Sequence, residues 1–248
     1  MQHAYAYVDG SIEAWALPSP EEEILPGVRW GSPDQILSPA YWAALSKVTS
    51  YSTFGFVTSD GDLASELGFC LLGGFGITAE LATAAHERLS EAGIYASDWQ
   101  PNRNEVHRLL TAPLNVGGRV IRYRFPDQRA KRITASMERL RHHPPRRDCH
   151  FAMRNDLMAF PGVGPKTASW IVRNLTGSND VAILDVHVIR AGQTMGLFPH
   201  EIRLPHDYEV LEDLFLKFAN GIGVGAASLD ALIWSQMRRL PLGIVRDS

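Results

Sequence analysis

The seven residues Phe160-Pro161-Gly162-Val163-Gly164-Pro165-Lys166 constrain this chain more than any other stretch. Two glycines flank one apolar residue, so the backbone can turn tightly and approach another polymer with no Cβ in the way. Apolar sequence resumes at once in Thr167-Ala168-Ser169-Trp170-Ile171-Val172, and Pro165 suits the first position of a helix. A tight turn that opens a helix presents backbone N–H groups at the positive end of the helix dipole, which suits a phosphate. Gly162, Val163 and Gly164 are therefore candidate phosphate contacts, and Lys166 falls in the first helical turn beside the bound anion. Nineteen residues after that lysine comes Leu184-Asp185-Val186-His187-Val188. An aspartate after an apolar run and before a helix reads as an N-cap, worth about 1 kcal/mol. The same rigid seat can hold a carboxylate where positive charge develops in a reaction.

The charge distribution points the same way. The net charge of −3 conceals a local excess between Arg119 and Arg147. Arg119, Arg122, Arg124, Arg129, Lys131, Arg132, Arg139, Arg141, Arg146 and Arg147 face only Asp127 and Glu138 there, a balance of +8. Residues 1–60, by contrast, carry seven acids against Arg29 and Lys47. A charge run is usually a solvated face, but one lying just before a phosphate-binding hairpin reads as part of a DNA footprint. Arg129 and Arg132, on the helix this run forms, are the candidate phosphate contacts.

At 248 residues, with 45% hydrophobic and 21% charged residues, the chain has the composition of a globular protein with one or two cores. No apolar run approaches the roughly 20 residues of a membrane span. The N-terminus has no charged-then-apolar layout, so the expected location is the cytoplasm, at the nucleoid if the source is prokaryotic. Two cysteines, Cys70 and Cys149, are too few for a disulfide scaffold or for four thiolate ligands to an iron–sulfur cluster. Both are expected to pack as small buried groups.

Periodicity and breakers predict an all-α chain. Residues 1–60 read as an irregular N-terminal extension with one short helix around Tyr41-Trp42-Ala43-Ala44-Leu45. A helical body is then expected over 61–248. A helix from Asp62 is interrupted at Gly73-Gly74, and a second begins at Thr78-Ala79-Glu80 and closes at Gly93. Helices are predicted over 104–110, 127–141, 148–159 and 165–175, then from Asp185, over 208–220 and over 226–239. Gly221-Ile222-Gly223-Val224-Gly225 lacks a preceding strand and the G-x-G-x-x-G spacing, so it reads as a helix–helix connection rather than a dinucleotide loop.

The hairpin lysine with its distant Asp-Val-His resembles the helix-hairpin-helix DNA glycosylases. Four colinear blocks resemble the compact Ogg-type 8-oxoguanine DNA glycosylase/AP lyases in particular. They are Glu66-Leu67-Gly68-Phe69-Cys70-Leu71-Leu72 with Ala79-Glu80 downstream; Tyr123-Arg124-Phe125-Pro126-Asp127-Gln128-Arg129-Ala130; Leu157 through Arg190; and Leu229-Asp230-Ala231-Leu232-Ile233-Trp234. The resemblance spans residues 64 to 236 and leaves the first sixty uncovered. It implies two helical subdomains with the active site in the cleft between them, and a monomer acting on double-stranded DNA that contains a damaged base. It implies no required cofactor, no iron–sulfur cluster and no catalytic metal, with a monovalent cation at the hairpin carbonyls. Lys166 becomes the nucleophile, Asp185 the assisting carboxylate and His187 a phosphate contact.

A flipped base must also be held. Trp170 lies one turn after Lys166, and Trp234 one turn after Asp230, so two aromatic planes can sandwich the base while Asp230 accepts hydrogen bonds from its edge. The ordinary fate of such tryptophans is core packing. Two departures from the family concern this pocket. Gly73-Gly74-Phe75-Gly76 replaces the family's polar segment, which brings Phe75 to the pocket, and the chain runs past the family's terminal lysine to Ser248. The expected activity is 8-oxoguanine excision with lyase action. The rivals are the same chemistry on another base, and a hairpin module that only binds DNA.

Overall fold

The computed structural model describes residues 1–49, 61–74 and 76–240. The described residues are predominantly helical, in two compact units: residues 61–176 form one, and residues 1–49 with 177–240 form the other.

The first unit builds on α2 (Leu63–Leu72), α3 (Ala79–Glu91), α4 (Arg103–Thr111), α5 (Pro126–His142), α6 (His150–Leu157) and α7 (Pro165–Thr176). Short polar residues start the first three, each accepting an early backbone N–H of its helix: Asp62 from Ser65, Thr78 from Leu81, and Asn102 from Asn104 and Glu105. Between α4 and α5 the chain makes a small antiparallel hairpin, β5 (Leu114–Val116) and β6 (Arg119–Ile121), turning on Gly117-Gly118 with both φ positive. Helix α2 is the hub, packing on α3, α5 and α7, while α6 and α7 pack on one another across the glycine hairpin. Leu67, Leu71, Leu72, Ile133, Leu157, Ile171 and Val172 fill the interior. Gly68 has a packing reason. A Cβ there would lie 2.2 Å from the Tyr95 ring, so only glycine lets that ring rest on α2.

The second unit contains β1 (Gln2–Val8), β2 (Ser11–Leu17), β3 (Glu23–Leu25), β4 (Val28–Arg29), α1 (Pro39–Val48), α8 (Val186–Thr194), α9 (Tyr208–Gly221) and α10 (Ala226–Met237). Its core joins Trp30, Leu37 and Trp42 from the N-terminal residues to Tyr208, Phe215, Phe218, Leu229 and Ile233. The sequence reading set residues 1–60 apart as an irregular extension. Instead, residues 1–49 carry two antiparallel hairpins besides the expected helix and share a core with the C-terminal helices. Trp30 and Trp42 need a partner surface to bury their area, and α9 and α10 provide it. The glycine run at 221–225 is a helix connection as expected, with α9 and α10 bent by 99° across it.

Candidate active site

The hairpin follows from local chemistry. After α6, the Phe160 N–H donates to the Leu157 carbonyl at 3.0 Å and the Val163 N–H to the Phe160 carbonyl at 3.1 Å. Gly162 turns the chain at φ +85°, Val163 plants its side chain in the interior, and Gly162 and Gly164 stay exposed. Helix α7 then opens at Pro165, and its first N–H groups have no intrahelical acceptor. Arg132 lies along this turn, so close that a Cβ on Gly162 would sit 2.6 Å from its Cδ. The hairpin glycines and Arg132, expected as phosphate contacts, are thus side by side.

Lys166 is the second residue of α7 and is half-buried. Its Nζ stands 5.9 Å from the centre of the Trp170 ring, and Phe69 from α2 meets that ring edge-on at 6.2 Å. Burial above all, and then the neighbouring Glu66, pushes the buried Cys70 thiol far up from its ordinary range, while Arg173 and Lys166 nearby pull the other way. Glu66 belongs to a half-buried cluster absent from the sequence reading. It accepts from Asn174 Nδ2 at 2.7 Å and from the Cys70 thiol at 3.4 Å. Burial raises the Glu66 carboxyl, and those two hydrogen bonds and nearby Arg173 offset part of the rise. The available signal was the i, i+4 spacing of Glu66 and Cys70 on α2, with Asn174 two turns beyond Lys166 on α7. The other cysteine departs from expectation. Cys149 is exposed, standing just ahead of α6 at the end of the exposed polar run Arg146-Arg147-Asp148.

In the other unit, Asp185 is the N-cap of α8. Its Oδ1 accepts from the N–H groups of His187 and Val188 at 2.8 and 2.9 Å. His187 lies in the first turn of α8, and its Nδ1 is buried without a hydrogen-bond partner among the described residues. Arg190, one turn on, has a buried Nη2 in the same condition, and sequence reasoning passed it over.

Two expected contacts are taken by structure instead. Arg129 is 8% exposed, and its Nη2 donates to the Gly73 carbonyl at 2.9 Å. It holds the α2–α3 loop and does not reach outward to a phosphate. It also lowers the neighbouring Tyr123 hydroxyl, which burial nonetheless pushes up to about 12. Asp230 is 2% exposed and accepts the Ile183 N–H at 3.0 Å, so it faces a backbone rather than a base edge. Trp170 and Trp234 are both half-buried, and Arg238 covers the Trp234 ring at 4.6 Å. Phe75 lies outside the described residues.

A glycine hairpin opening a helix, with a lysine in its first turn and a capping aspartate downstream, defines a helix-hairpin-helix protein of the DNA glycosylase/AP lyase class. A family model described as 8-oxoguanine DNA glycosylase, of the Ogg helix-hairpin-helix type, matches residues 45–224. The chain belongs to this family. Among curated proteins, the 8-oxoguanine DNA glycosylase/AP lyases of Thermotoga petrophila and Thermotoga maritima are each 28% identical over 195 residues, covering 74% of this chain and 84% of the relative. Among solved structures, the Thermotoga maritima 8-oxoguanine DNA glycosylase matches with a TM-score of 0.55 at 24% identity, over 80% of this chain and 86% of that one. The Methanocaldococcus jannaschii enzyme matches at 0.59 and 20% identity, over 81% and 93% of the two chains. A complex of the latter with a 15mer DNA containing 8-oxoguanine matches at 0.53 and 21% identity, over 82% and 88%. The fold is that of these helix-hairpin-helix glycosylases.

Proposed function

We propose that the chain is a bifunctional DNA glycosylase/AP lyase that excises 8-oxoguanine from double-stranded DNA. The observation that carries this reading is the place of Lys166, on the second residue of α7 directly after the exposed hairpin glycines and beside Trp170. A phosphate held at Gly162–Gly164, with Arg132 alongside, brings the damaged strand to that lysine. The flipped nucleotide presents C1′ to the amine, Nζ forms a bond to C1′, and the C1′–N bond breaks with the electron pair leaving on the base. Asp185 stabilises the positive charge that builds on the sugar as that bond lengthens. Nζ gives one proton to the departing base and a second to the ring oxygen O4′ as the sugar ring opens, which leaves an imine. Removal of a C2′ proton then expels the 3′ phosphate by β-elimination, and water releases the enzyme.

Trp170 and Trp234 are the proposed stacking faces, and His187 with Arg190 the further phosphate contacts. A monovalent cation at the hairpin would be held by backbone carbonyls alone, since no acidic side chain lies between Phe160 and Pro165. No step passes through it, and no other cofactor is proposed. The site of action is where DNA lies, in the cytoplasm or at the nucleoid.

One observation favours a second reading, the same lysine chemistry on a different base. Gly74 and Gly76 have φ of +108° and +77°, backbone that a residue with a side chain rarely adopts, so this loop is not built to carry the family's polar side chains at those two positions. Excision assays on 8-oxoguanine, uracil, thymine–guanine mismatch and 5-hydroxymethylcytosine duplexes at equal enzyme decide between them. The first reading expects 8-oxoguanine to be cut fastest, and a preference for any pyrimidine overturns it.

A further inference from the structure

The residues leading into Asp185, Val181-Ala182-Ile183-Leu184, are buried and belong to no helix or sheet. Their backbone N–H groups must still find acceptors, because a buried donor left unpaired costs about 1–3 kcal/mol. Three consecutive N–H groups are taken by three different buried side chains. Ala182 donates to Glu212 Oε1 at 2.9 Å, Ile183 to Asp230 Oδ2 at 3.0 Å, and Leu184 to the Tyr208 hydroxyl at 3.3 Å. That hydroxyl donates in turn to the Ala182 carbonyl at 2.7 Å. Tyr208 and Glu212 stand one turn apart on α9, and Asp230 comes from α10. A further tie, from the Ala227 N–H to Asn179 Oδ1 at 3.1 Å, fastens the chain two residues ahead of this segment to the beginning of α10.

Carboxylates are a costly answer to this need. Taking a carboxyl group out of water is costly, the more so if it is charged, and a neutral amide or hydroxyl would accept an N–H as well. A carboxylate that is ionised accepts a bond about twice as strong as a neutral acceptor does, which is what this residue type can add here. The carboxylates hold residues 182 and 183, and the Tyr208 hydroxyl holds Leu184, the residue immediately before Asp185. There the cap uses a single oxygen, Oδ1, for both N–H groups, so the direction of Oδ2 follows from the backbone that the three side chains fix.

We infer that Glu212 and Asp230 are positioning residues, which with Tyr208 lock residues 182–184 and so aim the Asp185 carboxylate at the reacting sugar. This rests on the reading of Asp185 as the assisting carboxylate. A displacement of about 1 Å at a catalytic group costs up to about 10²-fold in rate.

The test is a double-mutant cycle on the full chain, using single-turnover excision from an 8-oxoguanine duplex, binding to a duplex with a tetrahydrofuran abasic analogue, and thermal melting. Asp230→Asn, Glu212→Gln and Tyr208→Phe each keep the shape of the side chain. Each should still melt cooperatively and bind the analogue like wild type, while excision falls by about 10–10²-fold. Asparagine caps a helix as well as aspartate does, so Asp185→Asn removes the charge without removing the cap. In that background the three substitutions should each cost less than about twofold more, because they act through the carboxylate already lost. Equal losses in both backgrounds, or none in the wild-type background, overturn the inference. If Asp185→Asn alone excises at the wild-type rate, it is the role of Asp185 that fails, a result distinct from failure of the cradle.

Discussion

Gly162 and Gly164 stand two residues apart in one turn, yet a methyl group added to each meets opposite circumstances. At Gly162 the backbone is left-handed, and an added Cβ would lie 2.6 Å from Cδ, 2.7 Å from Nε and 2.9 Å from Cζ of Arg132. The left-handed conformation alone costs a residue with a side chain about 1–2 kcal/mol. Displacing the guanidinium adds to that, so Gly162→Ala should destabilise the fold by about 1–3 kcal/mol. For a chain of this size each kcal/mol corresponds to about 2–4 °C, which places the loss in melting temperature at about 2–12 °C. At Gly164 the added Cβ meets nothing within 4 Å, so Gly164→Ala should stay within about 0.5 kcal/mol of wild type. The space that methyl fills is where a phosphate approaches under the proposed function. Losing one charge-assisted N–H contact is worth about 1.5–3 kcal/mol, or about ten- to a hundredfold in Kd. Thermal melting and fluorescence anisotropy on a tetrahydrofuran-containing duplex measure the two effects separately. A Gly164→Ala protein that binds like wild type, or melts as low as Gly162→Ala, would refute the reasoning.

Two further predictions follow from side-chain commitments. Arg132→Ala should lower the slope of log K against log salt by about 0.9, the value of one phosphate contact, whereas Arg129→Ala should leave the slope unchanged and lower the melting temperature instead. Equal slopes for the two variants would return Arg132 to bulk solvent. Burial raises the Glu66 carboxyl above its ordinary 4.5, so the stability it contributes is present below that value and lost as pH rises through the folded one. Glu66→Gln has no proton to lose, and its melting temperature should therefore rise relative to wild type on going from about pH 4 to about pH 7. A difference that stays constant across that range contradicts the assignment.

What could be read from the sequence was local. Lys166 was legible because a glycine turn and a helix-opening proline stand within four residues before it, and Asp185 because an N-cap acts on the N–H groups two and three residues on. The helices of residues 126–237 were bounded by the same short-range signals. The β1–β2 hairpin carried such a signal too, in Asp9-Gly10, whose φ values of 48° and 90° fit a two-residue turn with both positions left-handed. It was obscured because Tyr5, Tyr7 and Ile12 face outward, while the alanines of β1 alternate with them, which inverts the usual pattern of apolar-in and polar-out. The roles of Arg129 and Asp230 depend on backbone groups 56 and 47 residues away. A sequence shows that a helix carries an arginine in a basic run, or an aspartate one turn before a tryptophan. It does not show that the nearest polar group is a distant carbonyl or amide rather than DNA. Buried acceptors for an irregular segment are likewise invisible until the segment has folded.

The central claim is that Lys166 forms a covalent imine with DNA, and borohydride trapping reads that bond directly. Wild-type protein incubated with an 8-oxoguanine duplex and borohydride should give a stable protein–DNA adduct on a denaturing gel. Lys166→Ala, folded and still binding the tetrahydrofuran duplex, should give none. An undiminished adduct in Lys166→Ala would move the nucleophile elsewhere and contradict the account.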